Sequence, residues 1–347
     1  MSAGGGASGG AGGVLRPYRP GQPPFAGGGT FCHTDLVPDP EDLRGADVAV
    51  VGAPFDEGVS HRPGARFGPR EIRLADDMGW PSSRPHLGLG VDPFAELRVV
   101  DHGDIEARPA CLDRSHAALQ RAVAGVLAAG AAPFVLGGDH SLSAPVLRAM
   151  GERFGPGGYA VIHFDAHADT GSDEPPHGHG ASFRTAVLDG ALRGDHIVQV
   201  GLRGYWPPPK DFDWMRAQGF RWHTMEEIAD RGVGAVVADA VAHVAARAPR
   251  VYLTVDIDVL DPAFAPGTGT PVPGGLTSAE LLRAVRAVST SVDLCGMDLV
   301  EVSPPYDPAG VTALAGHHLL LEALCGMALR RAGRPPAPQR AAAPDQA

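Results

Sequence analysis

The sequence predicts an α/β fold, a single domain in three α/β/α layers around a mainly parallel sheet. Two observations carry this reading. Short apolar runs of strand length recur along the chain, and segments with helical spacing separate them without a break in composition. A run that is apolar at every residue, rather than at alternate ones, suits a strand covered on both faces, as in a parallel sheet.

The predicted strands are Val48 to Val51, Leu97 to Val100, Phe134 to Leu136, Tyr159 to Phe164, Ile197 to Val200, Val251 to Val255 and Cys295 to Val300. The first predicted helix runs from Ser115 to Ala129, with Ser115 as N-cap and Gly130 as the stop. The others are Leu142 to Glu152, Ala235 to Ala246, Ser278 to Val288 and Thr312 to Arg331. Residues 1–30 are rich in Gly, Ala and Pro, and residues 334–347 in Pro and Ala, so both ends lack the apolar side chains that order a segment. The folded domain is expected over 31–333, between two disordered tails.

The chain has 347 residues, 44% hydrophobic and 20% charged, enough for a full core. Forty acidic against 29 basic residues give a formal charge of -11, and no dense Lys/Arg stripe is present, which argues against a nucleic-acid partner. An acidic surface draws small cations instead. Cys32, Cys111, Cys295 and Cys325 form neither a CxxC pair nor a disulfide framework, as expected in a reducing compartment. The N-terminus has no cationic start and no apolar h-region, and the longest uncharged stretch, Ala122 to Gly138, is interrupted by Gly125, Gly130 and Pro133. A cytoplasmic protein with no membrane partner is expected.

Three strand-like runs end in the same chemistry: PFVLGGDHS, VIHFDAHAD and LTVDIDVLDP. Ligands bind beyond the carboxyl ends of strands in open parallel sheets, so these ends can meet although they lie far apart in sequence. Asp165, His167 and Asp169 alternate, as do Asp256 and Asp258, and a period of two puts side chains on one face of an extended segment. With His140 they offer imidazoles and carboxylates that would repel one another unless cations lay between them. Carboxylate-rich ligation without thiolate favours a hard ion such as Mn²⁺, and shared carboxylates favour a pair of ions. Two such ions activate a bridging water, so the expected chemistry is hydrolytic.

The segments GGDHS, DAHAD, VDIDVLDPAFAPGTGTP and DLVEVSPPYDP, with the loop SHRPGARFGPREIR from Ser60 to Arg73, resemble the signatures of the ureohydrolase family, which includes arginase and agmatinase. The likeness spans roughly 45 to 330 and leans towards the agmatinase and guanidino-acid hydrolase branch. It implies an arginase-like fold and two Mn²⁺ ions, with Ni²⁺ as the alternative metal. One ion would be held by His140, Asp165, Asp169 and Asp256, the other by His167, Asp165, Asp256 and Asp258. Glu301 falls where the family grips the guanidinium. His179, in HGHGASF, falls at the proton shuttle to the departing amine, and His177 is a neighbour without a role. Ala181 and His61 stand where relatives commonly carry Thr and Tyr.

The resemblance further implies a homotrimer or homohexamer that hydrolyses agmatine to putrescine and urea, a step of polyamine biosynthesis. A cationic guanidino substrate fits the acids Asp173 and Glu174 in TGSDEPPHGHG. A carboxylate-tailed substrate, such as 4-guanidinobutanoate or 3-guanidinopropanoate, would need a cation, for which Arg184 and Arg203 stand nearby in sequence. A formimino-group hydrolase and a non-catalytic binding subunit are the remaining readings. His163 and His102 are expected as core or supporting histidines, Asp101 and Asp104 as turn or supporting acids, and Trp206 to Pro209 as a rigid loop.

Overall fold

In the computed structural model, which describes residues 29–75, 85–175 and 177–333, eight parallel strands form one sheet. The predicted tails, Pro176 and Trp80 lie outside the described residues, apart from Gly29 and a buried Thr30 at the edge of the first tail. The strands are β1 (Val48–Ala53), β2 (Val99–Asp104), β3 (Ala132–Gly137), β4 (Ala160–Phe164), β5 (Ile197–Leu202), β6 (Arg221–Thr224), β7 (Val251–Asp256) and β8 (Leu294–Val300). Their order is β2-β1-β3-β8-β7-β4-β5-β6.

Every residue of β1, β3, β4, β5 and β7 is buried, as a strand covered on both faces requires. Alternate side chains feed two cores: Val48 and Val50 face one layer of helices, Ala49 and Val51 the other. The first layer holds α1 (Gly68–Leu74), α2 (Pro93–Glu96), α7 (Met225–Arg231), α8 (Val233–Ala245), α9 (Ser278–Ser291) and α10 (Val311–Arg331). The second holds α3 (Leu112–Ala128), α4 (Ser143–Phe154), α5 (Ser182–Leu188) and α6 (Pro209–Gln218). Helix α10 is long and apolar enough to cross a membrane by composition, but Leu319, Leu320, Ala323 and Leu324 are buried in the core. At about 2 kcal/mol per buried leucine, that face is accounted for by the core.

All predicted strands form. Strand β6 went unread because RWHT is polar and half-exposed, as befits a sheet edge. Ser115 is not the N-cap of α3. The helix starts three residues earlier, after Cys111, and Ser115 is buried one turn in, its Oγ accepting from the Arg108 amide at 2.9 Å. Gly130 does end the helix: its φ of 87° lets the Gly130 and Ala131 amides reach back to the Leu127 and Val126 carbonyls. Pro209, assigned to a rigid loop, is the first residue of α6, where the missing N–H costs nothing.

Sequence neighbours in β3 and β4 are separated in the sheet by β8 and β7. The carboxyl ends of β3, β8, β7 and β4 therefore lie side by side, and the chain beyond them carries the residues from Asp139 to Ser141, Glu301, Asp256 to Asp258 and Asp165 to Asp169.

Candidate metal centre

All six predicted ligands come together at this edge. His140 follows β3 by three residues, with its ring buried. Its Nε2 lies 3.0 Å from the Thr254 hydroxyl, which leaves the other ring nitrogen, Nδ1, to the cluster. Nδ1 then faces carboxylate oxygens of Asp169, Asp165 and Asp256 at 2.8, 3.1 and 3.3 Å with no hydrogen-bond partner of its own. An unpartnered imidazole nitrogen among three carboxylates is a ligand set for a cation, and this is the fit the metal requires. A second group forms from Asp165, His167 and Asp258, with His167 Nδ1 3.1 Å from Asp258 and 3.5 Å from Asp165. Asp165 belongs to both groups, and Asp256 lies against the first.

The electrostatics say the same. Burial works against charge on His140, yet Asp169, Asp165 and Asp256 raise its pKa well above the ordinary imidazole value. Burial, then Asp258 and Asp165, push Asp256 well above the usual carboxylate range. The cluster calls for positive charge. Two of its members also hold an uncommon backbone: Asp169 and Glu301 have φ of 49° and 63°, a region that costs non-glycine residues about 1–3 kcal/mol and that functional sites retain.

His163 sits close enough to the first group to be taken for a ligand. The hydrogen bonds argue otherwise. Gln199 Nε2 donates to the Ala168 carbonyl at 2.6 Å and to His163 Nδ1 at 3.0 Å, so His163 carries its proton on Nε2 and gives it to Asp165 at 2.6 Å. It orients Asp165, the supporting role expected of it.

Glu301 follows β8 directly. Its Oε1 accepts from the His140 amide at 2.9 Å and from His179 Nδ1 at 2.8 Å, while Oε2 is buried without a partner. His179 comes from the loop before α5. Burial opposes its charge, but Glu301 raises its pKa to about 9. A cavity of about 160 Å³ opens above the cluster, walled by His167, Asp169, Asp256, Glu174, His179, Ser60, Trp206 and Thr270 among others. Among the described residues, three carboxylates and no Lys or Arg line it.

Sequence reasoning missed Ser60 and Asp139. Asp139 is fully buried, its Oδ2 accepting from the Gly58 amide at 2.6 Å and its Oδ1 from Ser141. Burial and then Glu301 raise its pKa to about 7. Its place in GGDHS was the available signal. Three expectations about specificity change. Asp173 is exposed and paired with Lys210 at 2.5 Å, so of the two loop acids Glu174 alone walls the cavity. Arg184 is committed to Asp211 and the Thr170 carbonyl, and lies over Trp214. Arg203 is buried among backbone carbonyls, including those of Asp258 at 2.6 Å and Val272 at 2.7 Å. His61 is exposed, Ala181 buried, and His102 bonds the Val37 carbonyl. Asp101 and Asp104 bind the buried Arg73.

A parallel α/β sheet whose central strand ends gather buried carboxylates and imidazoles around a small cavity defines a metal-dependent hydrolase. The chain belongs to the arginase family, whose model matches residues 46–326. It is 41% identical to a guanidinobutyrase of Pseudomonas aeruginosa over 87% of this chain and 93% of that one. An agmatinase of Chromobacterium violaceum is 40% identical over 82% of this chain and 85% of its own. The solved proclavaminate amidinohydrolase of Streptomyces clavuligerus superposes with a TM-score of 0.81 at 39% identity, covering 89% of this chain and all of that one. The fold is arginase-like, and the protein is a ureohydrolase that acts on guanidino compounds.

Proposed function

We propose that this enzyme hydrolyses agmatine to putrescine and urea in the cytoplasm, as a homotrimer or homohexamer, with two Mn²⁺ ions. One ion would be held by His140, Asp165, Asp169 and Asp256 and the other by His167, Asp165, Asp256 and Asp258. The unpartnered Nδ1 of His140 and the shared position of Asp165 support that division. Hard oxygen donors outnumber imidazoles and thiolates are absent from the set, which favours Mn²⁺ over Ni²⁺. When bound, the ions lower the pKa of a water and stabilise the charge that develops as it attacks the guanidino carbon.

The unpartnered, buried Oε2 of Glu301 carries the substrate reading, because an acceptor without a donor there fits an incoming guanidinium N–H. His179 then moves a proton to the departing amine, and its neighbours Ser60 and Glu301 hold it in reach. At the mouth, Glu174 suits the distal ammonium of a dication, and the described wall offers no base to a carboxylate tail. The likeness to a guanidinobutyrase supports the rival, a guanidino-acid hydrolase. Comparing kcat/KM for agmatine, 4-guanidinobutanoate and a formimino compound in Mn²⁺-loaded protein decides between them. Preference for the guanidino acid overturns agmatine, formamide rather than urea as product overturns both, and no turnover leaves a binding subunit.

A further inference from the structure

The loop between β1 and α1 crosses the cavity and touches His179 twice. The Ser60 amide donates to His179 Nε2 at 3.1 Å, and the Ser60 hydroxyl lies 2.9 Å from the same nitrogen. The His179 amide in turn donates to the Gly58 carbonyl at 3.0 Å, so loop and imidazole are locked together. On the other side, Nδ1 meets Glu301. An amide can only donate, so a neutral ring held in this way has Nε2 bare and its proton on Nδ1. The neutral ring is therefore the wrong tautomer to give a proton from Nε2, and it can do so only once it is charged.

We propose that Ser60 is the positioning residue that lets His179 work from Nε2: its hydroxyl rotates from donor to acceptor and takes up the Nε2–H whenever the ring is charged. The inference rests on the reading of His179 as proton shuttle. The ring first gains a proton released by the attacking water, forming the Nε2–H bond beside the Ser60 Oγ. That bond then breaks as the amine nitrogen takes the proton, and the ring returns to the neutral Nδ1–H form in which the amide and hydroxyl of Ser60 both face a bare nitrogen. Without the hydroxyl, a charged ring would press its Nε2–H against the Ser60 amide N–H with nothing to accept it. Ser60 is exposed at the cavity mouth, which also gives the exchange a path to solvent. The acids that act most on His179 from the other elements are Glu301 after β8, Asp169 after β4 and Asp139 after β3, and Asp256, Glu174 and His167 line the same cavity. Ser60 thus supplies a neutral acceptor within hydrogen-bond reach of Nε2.

The test is a double-mutant cycle of Ser60→Ala and His179→Asn in the Mn²⁺-loaded enzyme, with kcat, KM and the pH profile measured and folding checked by thermal melting. Ser60→Ala is expected to lower kcat by about ten-fold with KM within about two-fold, the loss of one hydrogen bond to a charged ring. The acid limb of kcat/KM should move to lower pH, since the ring must start neutral and its protonated form loses a partner. In the His179→Asn background Ser60→Ala should cost nothing more. A Ser60→Ala enzyme with unchanged kcat and limb, while His179→Asn is crippled, overturns the role of Ser60 and leaves the shuttle standing. Equal losses in both backgrounds also overturn it, as an effect of loop structure. A nearly normal His179→Asn enzyme sinks the shuttle and this inference with it.

Discussion

Two cavities lie at opposite edges of the same sheet. The one at the carboxyl edge holds about 160 Å³ above the acidic cluster. The one at the amino edge, beside the starts of β1, β3, β7 and β8, holds about 410 Å³ and carries Arg153, Arg250, Arg330 and Arg331 against Asp47 and Asp293. The larger space has the weaker claim to chemistry. Its charges are at peace: Arg331 pairs with Asp47 at 2.6 Å, Arg330 reaches the Ser291 carbonyl, and Arg153 and Arg250 lie against the Phe154 ring at 5.4 and 5.0 Å. Helices α3, α4 and α10 end there, and cations at helix C-termini complement the macrodipole. At the smaller cavity, carboxylates are buried beside one another, a ring nitrogen and a carboxylate oxygen lack partners, and two residues hold left-handed backbone. Unresolved charge under burial, rather than volume, marks the working edge.

Substitutions can break or sharpen that contrast. The largest effect is expected of Asp258→Ala, which should lower urea release at least about 1,000-fold and reduce metal content while the protein still folds. Full activity with unchanged metal, measured by elemental analysis, would remove the two-metal centre. His179→Asn should retain metal and lose about 100-fold in kcat, the scale of general acid–base catalysis. His177→Asn should stay within about three-fold, because its φ of 65° is one that asparagine adopts readily, although the Asp113 contact at 2.7 Å is lost. If His177→Asn alone were crippling, the shuttle would be misassigned.

Glu174→Gln should shift the ratio of kcat/KM between agmatine and 4-guanidinobutanoate by about ten-fold towards the acid, whereas Asp173→Asn leaves it unchanged. Equal ratios in both variants would mean that neither acid sets specificity. The smallest effect belongs to the amino edge. Arg153→Ala should keep kcat within about two-fold and stability within about 1 kcal/mol, as for other exposed cations. A larger loss of turnover would show that the two edges are coupled.

The strands were legible because full burial reads as an unbroken apolar run. The acids and histidines were legible as clusters after those runs, but not through an extended period of two, since Asp258 lies in a one-turn helix, Ile257–Val259, and Asp169 has left-handed backbone. Short helices were not legible. α1, α5 and α7 have seven residues each, too few for a periodic signal, and α6 begins inside a proline run. Glu301 and His179 came from resemblance, since a lone carboxylate or histidine has no local signature. Ser60, Asp139 and the orientation of His163 by Gln199 arise from loops meeting across the sheet, which spacing cannot encode. Arg184 and Arg203 show the converse error: nearness in sequence suggested a substrate contact, but each spends its guanidinium on its own fold.

The strand order carries a consequence for how the molecule assembles. β3 and β4 follow one another in the chain, yet β7 and β8 stand between them, so an emerging polypeptide leaves a two-strand gap in the middle of its sheet until residues 251–300 arrive. Until then Asp256, which faces the His140 ring, and Thr254, which meets its Nε2, are missing. Assembly of the full acid and histidine cluster is therefore a late event in folding, and a chain truncated before β7 should leave an open sheet with exposed inner edges, prone to aggregate.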